Sequence, residues 1–215
     1  MATNACFPPF EYYVGDQIIG IDVEIARTIA DKMGLKLHIS DMSNDEILQS
    51  IIKGKNDIAM STFTITDERK KVVDFSDPYA YGIQAIIVRE DSGINSADDI
   101  SKAGKIGVQK DSTGEELVIR DFGEEKLASY NKISTALLDL NSGKIDTIIV
   151  DRDVSLKYAN GNVGLKVLDT DYAVEDYGII IRKGNTELRD EINAILKEMR
   201  DSGELDDILR KYLEH

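Results

Sequence analysis

A chain of 215 residues, 42 % hydrophobic and 31 % charged, has the apolar mass for one ordinary domain or two small lobes. Its 26 Lys+Arg against 40 Asp+Glu give a formal net charge of −14, which excludes the basic face that non-specific binding to nucleic acid or anionic membranes requires. One cysteine, Cys6, excludes an internal disulfide and a Cys-rich metal site, and two histidines, His38 and His215, leave little for zinc or histidine-dependent catalysis.

The predicted elements alternate between helix and strand. Ile25, Ile29 and Met33, with Ala26 and Ala30, form a helical stripe with Asp22 as the expected N-cap and Gly34 past the end. Ser43-Asn44-Asp45-Glu46 reads as a capping box opening a helix with Ile47, Leu48, Ile51 and Ile52 on one face, closed by Gly54. A short strand, Asp57 to Met60, follows, and Ile83 to Val88 and Ile106 to Val108 are further strands. Ser112 or Thr113 is placed to cap a helix from about Gly114 to Asp121. Ser134 opens a helix that ends near Gly143 and feeds the strand Ile145 to Val150. Gly178 to Ile181 is one more strand, and two amphipathic helices close the chain. This alternation, with short glycine turns, predicts an α/β protein with largely parallel sheets.

Two segments echo each other: helix, Gly54-Lys55-Asn56-Asp57, strand, and helix, Gly143-Lys144-Ile145-Asp146, strand. Two lobes of similar build would produce such an echo, as would the commonness of this turn. If the repeat is structural, each strand delivers polar residues at its carboxyl end, where open α/β sheets bind ligands. Those ends are Ser61-Thr62-Phe63-Thr64 and Asp151-Arg152-Asp153, hydroxyls on one lobe and a carboxylate on the other. No run approaches the roughly 18 apolar residues of a membrane span. Met1 leads into Ala2-Thr3-Asn4 without the regions of a secretory leader, and Leu213-Glu214-His215 resembles the start of a purification tag. The expectation is that these ends are additions and that a targeting segment of the native protein has been removed.

The segment Ser61 to Tyr79, STFTITDERKKVVDFSDPY, carries the most chemistry. Ser61, Thr62 and Thr64 precede Thr66, a cap for a short helix containing Arg69, so hydroxyls, free N–H groups and one guanidinium converge. Such a set suits a carboxylate, which arginine grips with two parallel charge-assisted bonds. The alternative is that Arg69 pairs with Asp67 or Asp74 at the surface.

This segment resembles the signature of the polar amino-acid family of bacterial extracellular solute-binding proteins, the receptors of ABC importers. Phe7-Pro8-Pro9-Phe10-Glu11, Gly20-Ile21-Asp22-Val23-Glu24-Ile25-Ala26, both Gly-Lys-x-Asp turns, Tyr177-Gly178-Ile179 and Glu187-Leu188-Arg189 resemble further family motifs in the same order. The resemblance implies the two-lobe periplasmic-binding-protein fold, with two mixed, mostly parallel sheets flanked by helices and two hinge strands. Lobe 1 would comprise residues 1–86 and 181–215 and lobe 2 residues 90–177, with crossings at 87–89 and 178–182, near Arg89 and Arg182.

Carried over residue by residue, Arg69 matches the arginine that takes the ligand α-carboxylate, with Thr64 from lobe 1 and Thr113 from lobe 2. Asp151 matches the partner of the α-ammonium, Thr62 a residue whose carbonyl shares it, and Phe7 an aromatic wall. Asn4 stands where cationic-ligand members place an acid, and Asn44 where many carry a second aromatic wall. Gln109 is a further side-chain contact, Asp111 replaces a common glycine, and Cys6 is expected as a small core thiol bordering Phe7.

The resemblance implies a reversible receptor for a free L-amino acid, neutral and polar like glutamine, bound in an interlobe cleft by hinge closure. It implies no catalysis, cofactor or metal, a membrane permease of an ABC transporter as partner, no nucleic acid, a monomer, and a periplasmic or extracellular location, with lipid anchoring of the native form left open. Two alternatives share the fold: a dehydratase of small carboxylic acids using Asp151 or Asp153, and the ligand-binding domain of a membrane receptor or sensor kinase.

Overall fold

The computed structural model describes residues 1–160 and 162–213, so Glu214 and His215 of the expected tag lie outside the described residues. In chain order the elements begin with β1 (Ala2–Thr3), β2 (Cys6–Phe7), β3 (Glu11–Val14), β4 (Gln17–Ile19) and α1 (Ile21–Lys32). Next come β5 (Ser40–Asp41), α2 (Asn44–Ile52), β6 (Ile58–Ala59), α3 (Asp67–Lys70), β7 (Val73–Phe75) and β8 (Ala80–Arg89). They continue with β9 (Ile106–Gln109), α4 (Thr113–Phe122), β10 (Leu127–Tyr130), α5 (Ile133–Asn141), β11 (Thr147–Asp151) and α6 (Arg152–Asn160). The chain ends with β12 (Leu165–Val167), β13 (Ala173–Tyr177), β14 (Ile180–Arg182), α7 (Thr186–Ser202) and α8 (Glu204–Leu213).

Two compact units result, one of Met1–Tyr81 with Asp176–His215 and the other of Gly82–Glu175. The chain passes from the first to the second within β8 and returns within β13. The stretches near Arg89 and Arg182, expected as crossings, are instead sheet strands. Ile86, Ile87 and Val88 pair with β11 and β12, and Ile180 to Arg182 pair with β7. Their side chains are the reason: Ala85 to Val88 and Ile179 to Ile181 are fully buried, and apolar runs of this kind belong in a sheet interior.

In unit 1 the strand order is β5-β1-β6-β14-β7, parallel around β1 and antiparallel around β14. In unit 2 it is β10-β9-β11-β8-β12, parallel around β9 and antiparallel around β8, with β13 also on β8. Both sheets are therefore mixed: along each five-strand path two pairings are parallel and two antiparallel. Parallel neighbours need a crossover helix, which α1, α2, α4 and α5 supply. Each unit has its own core: Ile47, Ile51, Phe63, Val73 and Ile180 pack together in unit 1, and Ile86, Ile106, Val108, Val118 and Ile149 in unit 2.

The echoed turns are equivalent bond for bond. Lys55 N–H and Asn56 N–H donate to the Ser50 carbonyl at 2.8 and 3.4 Å, and Lys144 N–H and Ile145 N–H donate to the Asp139 carbonyl at 2.9 and 3.4 Å. Gly54 and Gly143 both take left-handed backbones, φ +66° and +76°, which favour glycine. The strands they feed, β6 and β11, each lie inside their sheet.

Some local expectations change. Gly20, not Asp22, precedes α1, and Asp22 lies in the first turn with its side chain fully buried. Glycine is required there because at φ +131° a Cβ would stand 2.1 Å from the Phe10 carbonyl oxygen. Lys132 rather than Ser134 precedes α5. The hairpin β3-β4, turning at Gly15-Asp16, was not anticipated, although Gly-Asp between apolar runs is a hairpin signal.

Candidate functional site

Unit 1 gathers its polar groups where β1 and β6 end. After β6 the chain enters a loop, Ser61 to Thr64, in which Thr62 adopts φ +48°, a left-handed conformation that a β-branched residue rarely takes. The Thr62 amide donates to Asp22 Oδ2 at 3.3 Å, and the Ser61 hydroxyl donates to Glu11 Oε1 at 2.6 Å. Thr66 caps α3, its hydroxyl accepting from the Arg69 N–H at 3.2 Å. Arg69 Nη1 then reaches back to the Thr64 carbonyl at 3.0 Å, and its guanidinium lies 5.5 Å from the Phe63 ring centroid, a cation–π distance. Arg69 is thereby oriented by the same loop that holds the three hydroxyls. Asp74, one of its alternative surface partners, pairs with Lys183 at 2.7 Å.

The amides expected to meet a ligand side chain also come together in this unit. Asn4 follows β1, and its Nδ2 donates to Asn44 Oδ1 at 3.1 Å, while the Cys6 thiol donates to Asn4 Oδ1 at 3.0 Å. Asn44 follows the N-cap Ser43, whose N–H and hydroxyl both donate to Glu46 at 3.1 and 2.6 Å, so the predicted capping box presents Asn44 towards Asn4. Asp41 on β5 accepts from the Ala5 N–H at 2.9 Å and anchors the segment that leads to Phe7 on β2. Cys6 is half-buried, so it is a member of this polar cluster rather than a core thiol.

Unit 2 carries Gln109 and Asp151 at the carboxyl ends of the neighbouring parallel strands β9 and β11, and Thr113 at the start of the helix that follows β9. Asp151 is the last residue of β11, 1 % exposed, and its Oδ1 accepts from the Asp153 N–H at 2.9 Å and the Val154 N–H at 3.4 Å. One oxygen thus begins α6, a helix absent from the sequence reading because Arg152, Asp153, Ser155 and Lys157 hide its apolar face. Gln109 ends β9, and its carbonyl accepts from the Ser112 hydroxyl at 2.6 Å. Ser112 caps α4 by accepting from the Glu115 N–H at 3.3 Å, which makes Thr113 the first helical residue, at the end of the helix whose dipole favours an anion. Asp111, exposed, has φ +57°, the conformation for which glycine is the default.

Several residues of these clusters escaped the sequence reading. Gln84 is the register partner of Asp151 on β8, and its Nε2 donates to Glu175 Oε2 at 2.9 Å, which lines Asp151, Gln84 and Glu175 across adjacent strands. All three are buried. Glu11 and Asp22 are both wholly buried. Burial and the Asp22 charge push the Glu11 carboxyl well up, and burial pushes Asp22 up to about 7 against the bonds from Tyr79 and the Thr62 amide. The available signal was the clash of an acid with an apolar surround: Phe10-Glu11 and Ile21-Asp22-Val23.

Among the described residues no His/Cys/Asp/Glu group is arranged to hold a metal ion, and no helix is long and apolar enough to cross a membrane.

Comparison with known proteins converges on one family. The arginine-binding extracellular protein ArtP of Bacillus subtilis (strain 168) is 36 % identical over 217 residues, covering 99 % of this chain and 84 % of that protein. The arginine-, lysine-, histidine-binding protein ArtJ of Geobacillus stearothermophilus superposes with a TM-score of 0.93 at 32 % identity, covering 100 % of this chain and 94 % of ArtJ. An ancestral arginine-binding protein bound to glutamine superposes with a TM-score of 0.92 at 38 % identity, covering 100 % of this chain and 96 % of that one. Residues 1–215 match the family model, and the chain belongs to the bacterial extracellular solute-binding proteins, family 3.

Proposed function

We propose that this protein is the receptor of an amino-acid ABC importer and that it binds a free L-amino acid reversibly, without catalysis. The observation that carries the proposal is the division of charge: unit 1 orients a guanidinium, Arg69, in a loop that carries three hydroxyls, and unit 2 buries a carboxylate, Asp151, at the end of β11. One zwitterion answers both. Its α-carboxylate takes Arg69, Thr64 and Thr113, and its α-ammonium takes Asp151 and the Thr62 carbonyl. Capping α6 does not exhaust Asp151, because a carboxylate accepts several bonds. A ligand that engages both units favours the closed arrangement over the open one, with β8 and β13 as the natural hinges. An ABC permease that reads the closed form, a monomeric receptor and an extracellular or periplasmic location complete the reading.

The favoured ligand is neutral and polar, glutamine-like. Asn4, Asn44 and the Cys6 thiol form a neutral hydrogen-bonding cluster near Phe7, which suits an amide or hydroxyl, and none of these three carries the charge that a cationic side chain calls for. The ancestral relative that holds glutamine on an arginine-binding scaffold supports this choice. Calorimetric titration with the twenty L-amino acids tests both levels. Tightest binding of glutamine or another neutral polar amino acid is expected; tightest binding of arginine or lysine would overturn the ligand class, and no binding at all would overturn the receptor reading.

A further inference from the structure

The pair Glu11 and Asp22 is not explained by packing. Both carboxyls are 0 % exposed, one on β3 and the other on α1. The titratable groups acting on the pair, besides each other, are Cys6 on β2 and Tyr79 ahead of β8, and among the described residues no lysine, arginine or histidine acts on it. Two like charges so buried cannot both persist without a cation. Three of the four oxygens have assigned bonds. Asp22 Oδ1 accepts from the Tyr79 hydroxyl at 2.8 Å, Asp22 Oδ2 from the Thr62 N–H at 3.3 Å, and Glu11 Oε1 from the Ser61 hydroxyl at 2.6 Å. The fourth, Glu11 Oε2, is buried with no hydrogen-bond partner, and the nearby Asp22 charge acts on the Glu11 carboxyl. A proton on Glu11 Oε2, donated to Asp22, satisfies this oxygen and removes the second charge.

Both carboxyls hold the same loop. Ser61, bonded to Glu11, also accepts the Asn4 N–H at 3.3 Å, and Thr62, bonded to Asp22, carries the strained backbone. We infer that Glu11 and Asp22 keep one proton between them and, through the Ser61 hydroxyl and the Thr62 amide, act as positioning residues that hold the Ser61–Thr64 loop and Asn4 in their ligand-ready conformation. This inference rests on the proposed amino-acid site and adds the support that keeps it formed without ligand. Strain at Thr62 persists because two buried acceptors over-determine it. Loss of the shared proton sets two carboxylates against each other and loosens the loop.

The test compares Glu11→Gln, Glu11→Ala and Ser61→Ala with the wild type, using L-glutamine as the probe and hydrogen exchange of the Thr62 amide in the ligand-free protein. A glutamine side chain reproduces the protonated Glu11: its amide donates to Asp22 and its carbonyl accepts from Ser61. At neutral pH, Glu11→Gln is expected to stay within about threefold of the wild type in both measurements, while Glu11→Ala and Ser61→Ala lose about tenfold or more. Ser61→Ala leaves both acids in place and cuts only the relay, so it decides the matter if Glu11→Ala fails to fold. The ratio of the Glu11→Gln affinity to that of the wild type, in which the ligand's own titration cancels, is expected to rise on the alkaline side. Equal losses in Glu11→Gln and Glu11→Ala, or unchanged Thr62 exchange in Ser61→Ala, would overturn the inference. If no amino acid binds the wild type, the proposed site fails, and the exchange measurement still decides the role of the pair.

Discussion

At the scale of single residues, the polar side chains are aimed by the groups packed around them, backbone and ring faces included. Arg69 is aimed by the Thr64 carbonyl and the face of Phe63, so a shorter residue loses both the charge and its orientation. Arg69→Ala is expected to weaken binding of the preferred amino acid by about a hundredfold or more, while the melting temperature stays close to that of the wild type. Titration calorimetry beside thermal denaturation checks both parts, and retained affinity would remove Arg69 from the site. Asn4→Asp places a carboxylate in a neutral cluster and is expected to shift the preference towards arginine over glutamine by about tenfold or more, read by competition between the two ligands. The buried pair Glu11 and Asp22 sets a sign for stability. Their folded carboxyls hold protons more tightly than unfolded ones, Asp22 up to about 7. Between the ordinary carboxylate range and that value the folded state therefore binds more protons, and stability falls as pH rises through this window. Glu11→Gln removes one of these protons from the balance, so its stability advantage over the wild type is expected to widen from about pH 5 to about pH 8 in denaturant titrations; a constant gap would contradict the burial argument.

At the scale of elements, the legible parts were those whose signal is local. The capping box at Ser43, the cap at Thr66 and the Gly-Lys-x-Asp turns lie in the structure where the spacing put them, because each depends on a few neighbouring residues. Helix α6 and strands β10, β12 and β13 were not legible, because polar residues interrupt their periodicity and pairing partners distant in sequence define them. Asp22 was misplaced as a cap for a related reason. An acid ahead of an apolar stripe reads as a cap, and only the fold reveals that Tyr79 and Thr62 draw it inward. Gly20 is the element-scale position with least tolerance, since a methyl group would collide with backbone, which cannot rotate away. Gly20→Ala is expected to destabilise the protein by about 2–4 kcal/mol, through the collision together with the unfavourable positive φ. Chemical denaturation measures it, and a loss below about 1 kcal/mol would mean that the Phe10 turn relaxes at little cost.

For the whole molecule, the repeat hidden in two four-residue turns became two compact units, each with a mixed sheet, its own core and its own polar cluster. Composition allowed one domain or two lobes, and the ordered motifs selected the latter. The boundaries were less legible than the division, because apolar strands run on past the crossings at Tyr81 and Glu175. Ligand binding to the folded chain alone stabilises it by about 2.7 kcal/mol at a hundredfold excess over the dissociation constant. For a chain of this size the melting temperature should then rise by about 5–10 °C with the preferred amino acid. The most direct test of the central claim, that one zwitterion is held by Arg69 and Asp151 together, is calorimetry on the wild type with L-glutamine, its des-amino analogue and its α-amide. Loss of about a hundredfold or more for each analogue is predicted, and near-full affinity for either would contradict the claim.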